Sequence, residues 1–536
     1  MPFLASRSDS KNLQANDLKM KSNFLMKEFF MTQAPRSTRR QLGQFGLALV
    51  AAASIILVHP AAHAQSKKDS VVVGMILEPT SLDPTTAPAA AIGEVVHYNI
   101  LEGLTKINVD GSITPLLAES WTMDADGKAF TFKLRKGVKF QDGAAFDSAA
   151  VKFSFDRAKA EKSTNKAKGA VFNNISHIST PDAHTVVLVL TNPDGNFLFR
   201  MGENTAVILH PNSADSAATK PIGTGPYKLE NWAKGTAVTL TKWDGYRDAA
   251  NVKLKKVTFR FINDSSAQVA ALLAGDIDGM PRFQSPQSLK QFQTDKRFAV
   301  EMGSTAGKGI MTINNKKKPF DDVRVRRALS HAIDKKAFID GVFEGLAKPI
   351  GSHMAPTDAG YVDLTGQYAF DPEKAKALLK EAGVQTPLNV TLTLPPPPYA
   401  RKGGEILAAQ LAKVGIVAKI ENVEWAQWLG GTFKGNFDLT VINHVEPLDY
   451  MAYANPNYYW GYDSKAFRDL AAKHSATTGA KDRTKLFGDM QRMIANDSVN
   501  VFLFNATNTA VYKKGLKGLW SSSPIFANDM AAVSWN

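Results

Sequence analysis

The sequence predicts an α/β protein on three observations. Segments with strand alternation and segments with helical stripes follow one another along nearly the whole chain. Gly, Asp and Pro punctuate them at short intervals, without a low-complexity linker or a repeat of fixed period. The composition, 44% hydrophobic and 21% charged, belongs to a chain that buries a core rather than a disordered or collagen-like one. At about 150 residues per domain, 536 residues suggest three to four lobes.

The N-terminal region reads as a leader. Arg36, Arg39 and Arg40 precede an apolar run from Phe45 to Val58, and Ala62-His63-Ala64 then leads into Gln65. That order of basic, apolar and small residues marks a secretory signal over residues 1–64, with Met31 a candidate start. The 14-residue run, at about 1.5 Å per residue, is too short for a hydrocarbon core of about 30 Å. Cleavage and export to a periplasm are therefore expected. With no cysteine in the chain, a lipid anchor, disulfides and thiolate metal sites are excluded.

Further along, Val71–Ile76 reads as a buried strand. Trp121–Leu134 reads as a hairpin turning at Asp126-Gly127, with Phe130, Phe132 and Leu134 on one face. Asp147–Ala160 carries Val151, Phe155 and Ala158 on one helical stripe. Asp371-Pro372 opens a helix that Gly383 closes. Leu388–Leu394, a helix over Arg401–Lys413, and Ile416–Val423 form a strand–helix–strand unit, with Gly415 at a left-handed helix end. Between the first two, Pro395–Pro398 predicts a rigid extended run, either a plain loop or one wall of a cleft.

Charge and motifs exclude several functions. The first 64 residues hold 8 basic and 3 acidic residues, and the remainder 56 and 47. The mature surplus is small for its length, so no nucleic-acid footprint is expected. The chain lacks G-x-S-x-G, H-E-x-x-H and the phosphate-binding G-x-x-x-x-G-K-[ST] motif. Of its ten histidines, two lie in the leader and eight are scattered, so no metal and no cofactor are expected. Asp276 and Asp278, in Gly275–Gly279, suit a turn better than a catalytic carboxylate pair.

Longer motifs say more. Ile113-Thr114-Pro115-Leu116-Leu117-Ala118-Glu119-Ser120-Trp121 runs into the hairpin, and Leu134-Arg135-Lys136-Gly137-Val138-Lys139-Phe140-Gln141-Asp142-Gly143 leaves it. Gly223-Thr224-Gly225-Pro226-Tyr227 follows, where two glycines suit a tight turn. In Phe320–Asp334, Asp321-Asp322 caps a helix whose inner stripe is Val325, Leu329, Ile333 and Phe338. In this order, these motifs resemble the family 5 extracellular solute-binding proteins, the dipeptide and oligopeptide receptors of bacterial ABC importers, across residues 70–536.

The resemblance implies a two-lobed periplasmic-binding-protein fold of type II, with an extra subdomain inserted in lobe I. It places residues 70–112, 215–310 and 500–536 in lobe I, 113–214 in the insert and 311–499 in lobe II. It also implies a non-enzymatic, monomeric receptor that closes on a peptide or peptide-like solute and delivers it to an inner-membrane ABC permease. Such peptide receptors pair an acid after the strand near residue 440 with the ligand's amino group. Here the usual Trp aligns with His444 and the usual Asp with Pro447, leaving Glu446 as the nearest carboxylate and Asp449 as the next. The dipeptide-type Arg-Pro-Tyr matches Pro397-Pro398-Tyr399, so Tyr399 is kept and the carboxylate-binding Arg is lost.

Losing that bidentate pair removes the standard clamp on a free dipeptide. It leaves open a longer peptide, a modified amino acid, an opine-like conjugate or an oligosaccharide; a secreted hydrolase is a further alternative. The candidate ligand residues are Glu446, His444, Asp449 and Tyr399, with Trp425, Trp428 and Tyr458-Tyr459-Trp460 as stacking surfaces. Thr80, Ser81 and Leu82 are the candidates from the other lobe. Trp425 and Trp428, three apart, fit a core-facing helix equally well.

Overall fold

A computed structural model describes residues 68–536 apart from 88 and 478. The leader lies outside the described residues. Among the described residues no helix is long and apolar enough to cross a membrane.

Twelve strands form one mixed sheet. Its middle is the strand Asn500–Lys513, which pairs through its first residues with Lys308–Ile313 and through its last with Phe298–Ser304 and Gly279–Met280. On one side lie Ser70–Met75, parallel to Lys256–Phe261, and then Ala237–Lys242 and Tyr227–Ala233. On the other lie Leu439–His444, Leu388–Leu394 and Ile416–Asn422, the last two parallel. A separate four-stranded sheet holds the expected hairpin, with Trp121 opposite Phe132 and Met123 opposite Phe130.

Each part has its own apolar core. Val71, Val73, Tyr227 and Phe259 anchor one, and Met311, Leu329, Leu392, Leu439 and Phe504 another. Phe130, Phe132, Phe155 and Leu188 fill a third, within the hairpin sheet. The middle strand enters two of them: Val501, Leu503 and Phe504 face the second, Ala510 and Tyr512 the first. A boundary at residue 500 thus sets Val501, Leu503 and Phe504 apart from the core they fill.

Most local expectations hold. Asp371 caps its helix as read, accepting from Lys374 N–H, and Asp147 caps its own by accepting from Ala149 N–H. Gly383 and Gly415 take φ of +73° and +85°. Three details differ. The helix after Pro395 begins at Pro398, inside the supposed extended run, because a first-turn proline needs no hydrogen bond. The helix from Asp322 stops at Ala332, and Asp334 caps a second helix that carries Phe338, so the inner stripe spans two helices. Gly223 and Gly225 have no positive φ. A Cβ there would lie 2.0 and 2.5 Å from the carbonyls of Ile100 and Asn99, so close backbone approach demands glycine.

The turn joining Phe298–Ser304 to Lys308–Ile313 is tied to the middle strand by buried Asn505, which donates to the carbonyls of Thr305 (2.7 Å) and Gly307 (2.6 Å). Asn505→Ala leaves both carbonyls short of a donor. It is expected to lower stability by about 1–3 kcal/mol, measured as a shift of the urea midpoint.

Candidate functional site

The strand Leu439–His444 runs antiparallel to Lys308–Ile313, with His444 directly opposite Lys308 at the strand ends. Beyond His444 the chain turns through Val445-Glu446-Pro447-Leu448 into a short 3₁₀ helix, Asp449–Ala454. Leu448 sits at φ +51°, a left-handed conformation costing a branched residue about 1–3 kcal/mol. Something must hold the loop there.

The hold is a buried polar cluster. Lys308, 1% exposed in its side chain, lies 2.7 Å from Asp449 Oδ1, and its ammonium also donates to the Glu446 carbonyl. His353 Nε2 reaches both Asp449 oxygens at 3.1 and 3.2 Å, and His444 Nδ1 lies 3.2 Å from Oδ2. His444 Nε2 meets the Tyr459 hydroxyl at 2.9 Å. Because an ionised carboxylate only accepts, each imidazole presents an N–H to Asp449. Burial pushes the Asp449 carboxyl up, but the Lys308 charge and the two imidazoles outweigh it and hold the acid well below the usual range. Burial lowers His353 to about 4 despite Asp449, so this imidazole is neutral at pH 7.

His353, His444 and Asp449 are close enough to share a metal ion, and in this respect the histidines are less scattered than the sequence suggested. Lys308 already supplies a cation at Asp449, so a divalent ion would meet an ammonium inside a low-dielectric site. The donor set does not fit a metal.

Beside this loop is a cavity of about 430 Å³. Ile113, Trp121 and Phe199 line one side, and Asp358, Leu448 and Phe487 the other. Tyr450 bridges the sides by donating to Asn196 Oδ1 at 2.7 Å, and Leu448 packs with the cluster of Tyr98, Ile107, Leu116 and Phe199. Burial raises the Asp358 carboxyl to about 6, against the pull of Lys308.

The expected residues divide. His444, Glu446 and Asp449 share the loop, and Tyr399 is tied to its base by accepting from Asn443 N–H at 3.1 Å. Glu446 is exposed, and among the described residues its carboxylate has no ion-pair partner. Trp425 is 41% exposed, whereas Trp428 is buried and donates from Nε1 to Thr440 Oγ1. Tyr459 and Trp460 belong to the aromatic core, so only Tyr458 of that run keeps partial exposure. Thr80 is exposed, Ser81 accepts from Asp83 N–H, and Leu82 is fully buried in the first core; none bonds to the loop. Arg401 pairs with Glu424 at 3.0 Å and so does not stand in for the missing Arg. Sequence reasoning missed Lys308, His353 and Asp358. Lys308 alone left a signal, a lysine between two glycines at the head of an apolar strand.

Residues 112–467 match the model of the bacterial extracellular solute-binding proteins, family 5 Middle. The chain belongs to this family. A family 5 relative, the dipeptide-binding protein of Escherichia coli K12, is 31% identical over 449 residues, covering 76% of this chain and 83% of its own length. The glutathione-binding protein GsiB of Salmonella paratyphi A is 28% identical over 506 residues, 88% of this chain and 95% of its own. Among solved structures, the unliganded open form of the murein tripeptide-binding protein MppA has a TM-score of 0.78 at 24% identity, covering 87% of this chain and 97% of its own. DppA of Helicobacter pylori in complex with the peptide STSA scores 0.69 at 27%, covering 88% and 98%. The family 5 fold is the two-lobed α/β type II periplasmic-binding-protein fold.

The cluster sets a pH dependence. His353 in the fold takes up its proton only near pH 4, against 6.5 when free, so the unfolded chain binds more protons between those values. Stability is therefore lost as pH falls from about 6.5 to 4, by about 3 kcal/mol from this group. The Asp449 contribution is present above about pH 4 and is lost below it, as the pH falls through its depressed value. Asp358 opposes both, since its raised value favours the fold at low pH and that gain is lost as pH rises through about 6. His353→Gln removes the loss of stability on going from pH 6.5 to 4 and leaves the opposed Asp358 trend, so the variant's urea midpoints are expected to gain on those of wild type as the pH falls across that range.

Proposed function

We propose that the chain is a periplasmic receptor that takes a peptide between its two lobes and passes it to an inner-membrane ABC permease. The cavity carries this reading: Ile113 and Phe199, from the insert, and Leu448 and Phe487, from lobe II, line it together, so a guest there touches both parts at once. Only contacts made on both sides shift a hinged protein toward closure. The names of the relatives, dipeptide-, glutathione- and murein tripeptide-binding, support a peptide as the guest. The signal-like residues 36–65 support export.

Our division of the lobes keeps the expected one with one change. Lobe I takes 70–112, 215–310 and the chain after about 505, with 113–214 as its insert. Lobe II takes 311–499 and the first residues of the middle strand, because Val501–Phe504 pack in its core. The higher score against an unliganded open form than against a peptide complex, 0.78 against 0.69, supports reading this conformer as open.

Within the site, Glu446 accepts a cationic group of the guest, and Tyr399 and Trp425 offer it ring surface. No arginine takes the place of Pro397, so the guest's carboxylate is not clamped bidentately at that position. Nothing is chemically altered: purified protein incubated with peptides is expected to return them intact.

Mass spectrometry of the solute released from protein purified out of a periplasm tests the reading, and a peptide is expected. A non-peptide solute, or turnover without any partner, would overturn it. Glu446→Gln is expected to weaken binding of a peptide with a free amino end by no more than about 1 kcal/mol, the scale of an exposed charge pair, measured by calorimetry.

A further inference from the structure

The acid most deeply placed on the ligand loop already has a cation. Lys308 Nζ is 2.7 Å from Asp449 Oδ1, 1% exposed, and fixed a second time by the Glu446 carbonyl. Asp449 keeps 15% side-chain exposure and lies between Leu448 and Tyr450, both of which line the cavity. Left unpaired, a carboxylate with that residual opening would draw an ammonium to itself, because a lone charge so nearly buried is costly. The chain's own lysine fills that position from behind, and His353 and His444 occupy the remaining lone pairs.

We infer that Lys308 is a specificity residue, an internal ammonium that closes Asp449 to the amino end of the solute. It leaves Glu446 as the loop's one outward carboxylate. Three features argue that the arrangement is built rather than incidental. Lys308 precedes Gly309, where a Cβ would meet the Phe504 ring at 2.2 Å, and follows Gly307, where one would press on the Asn443 side chain at 2.8 Å. The lysine strand therefore lies against its neighbours at the one level where the ammonium reaches the loop. Lys308 is also directly opposite His444, so the pairing register sets its reach to Asp449. Finally, the two contacts of the ammonium span residues 446 and 449, on both sides of strained Leu448, so one side chain fixes the loop and neutralises its acid together.

The chemical consequence is a preference. A site with a free buried carboxylate discriminates strongly for an ammonium, because the unpaired charge is costly when the ligand lacks one. A site whose carboxylate is internally paired accepts N-blocked and free amino ends alike, apart from the screened contribution of exposed Glu446. The solute class is thus widened to peptides or peptide-like conjugates whose amino end is acylated or otherwise substituted.

This inference rests on the peptide reading for the identity of the solute, but the pairing is testable without it. The test compares wild type, Lys308→Ala and Lys308→Ala/Asp449→Asn, the double variant guarding against simple failure of a lone buried charge to fold. In thermal melts, n-propylammonium chloride, which replaces the deleted side chain, is expected to raise the midpoint of Lys308→Ala. Sodium chloride at equal ionic strength should not, and neither wild type nor the double variant should respond to the amine. In calorimetry, the ratio of affinities for a free peptide and its N-acetyl form is expected to rise at least tenfold in Lys308→Ala and return to the wild-type ratio in the double variant. Loss of acetyl discrimination in Asp449→Asn relative to wild type would show that Asp449 already holds the ligand's amine and would overturn the inference. So would an unchanged ratio in a folded Lys308→Ala. If wild type binds no peptide, the peptide reading fails and the melts alone decide: rescue by the amine upholds the pairing, and its absence overturns it.

Discussion

One continuous strand has to serve two hydrophobic cores, and the architecture is arranged around that constraint. Asn500–Lys513 gives Val501, Leu503 and Phe504 to one core and Ala510 and Tyr512 to another. Its pairing with Lys308–Ile313 shifts register at Gly309-Ile310, and there the Phe504 ring lies against Gly309. Bulged pairing of this kind bends and twists a strand, as two differently oriented cores require. The neighbouring segment Ala506–Asn508 is more polar, and Asn505 and Asn508 spend their side chains on backbone carbonyls of adjacent turns. The polar segment lies between two apolar ones, and a hinge placed there moves hydrogen bonds rather than core side chains.

The same crossing sets the position of the loop that follows His444. Lys308 begins its strand immediately after the turn that Asn505 holds, and the lysine side chain runs from there to Asp449. Burying this pair costs several kcal/mol of desolvation per ion, and the attraction offsets the cost only where the remaining valences are filled. They are filled here by two imidazoles on the carboxylate and a carbonyl on the ammonium. The cluster is thus better understood as a device for fixing a loop than as a source of net stability. Its product is the left-handed turn at Leu448, which sets a leucine against both the aromatic core and the cluster of Tyr98, Leu116 and Phe199.

Legibility in the sequence follows the range of the interactions. The cap at Asp371, the Asp-Gly hairpin and the left-handed glycines act within a few residues, and each could be read directly. Family motifs extended this to the two-lobed fold, because they occur in order along most of the chain. The loop was legible through Glu446, His444 and Asp449, which are adjacent in sequence. Lys308 and His353 were not, since pairing across strands and a distant loop bring them in, and no periodicity encodes that meeting. Trp428 shows the opposite failure. Its type suggested a stacking surface, yet its three-residue spacing from Trp425 already allowed a helix with one ring inside, and the hydrogen bond to Thr440 is what lets an indole be buried there.

The departure at Pro397 can be understood from the helix it precedes. Pro397 and Pro398 stand at the helix cap and first position, where a missing N–H is not felt and φ near −65° is already right. A proline pair there stiffens the entrance to the helix that carries Tyr399, whose hydroxyl holds Asn443 at the base of the ligand loop. An arginine at the same place would offer a long, mobile fork for a carboxylate but would not stiffen the backbone. The proline pair thus serves a fixed relation between Tyr399 and the His444 strand. With Arg401 committed to Glu424, the rigidity of this entrance rests on the proline pair and on the Tyr399 hydroxyl, and the loop beyond His444 is held from within by Lys308.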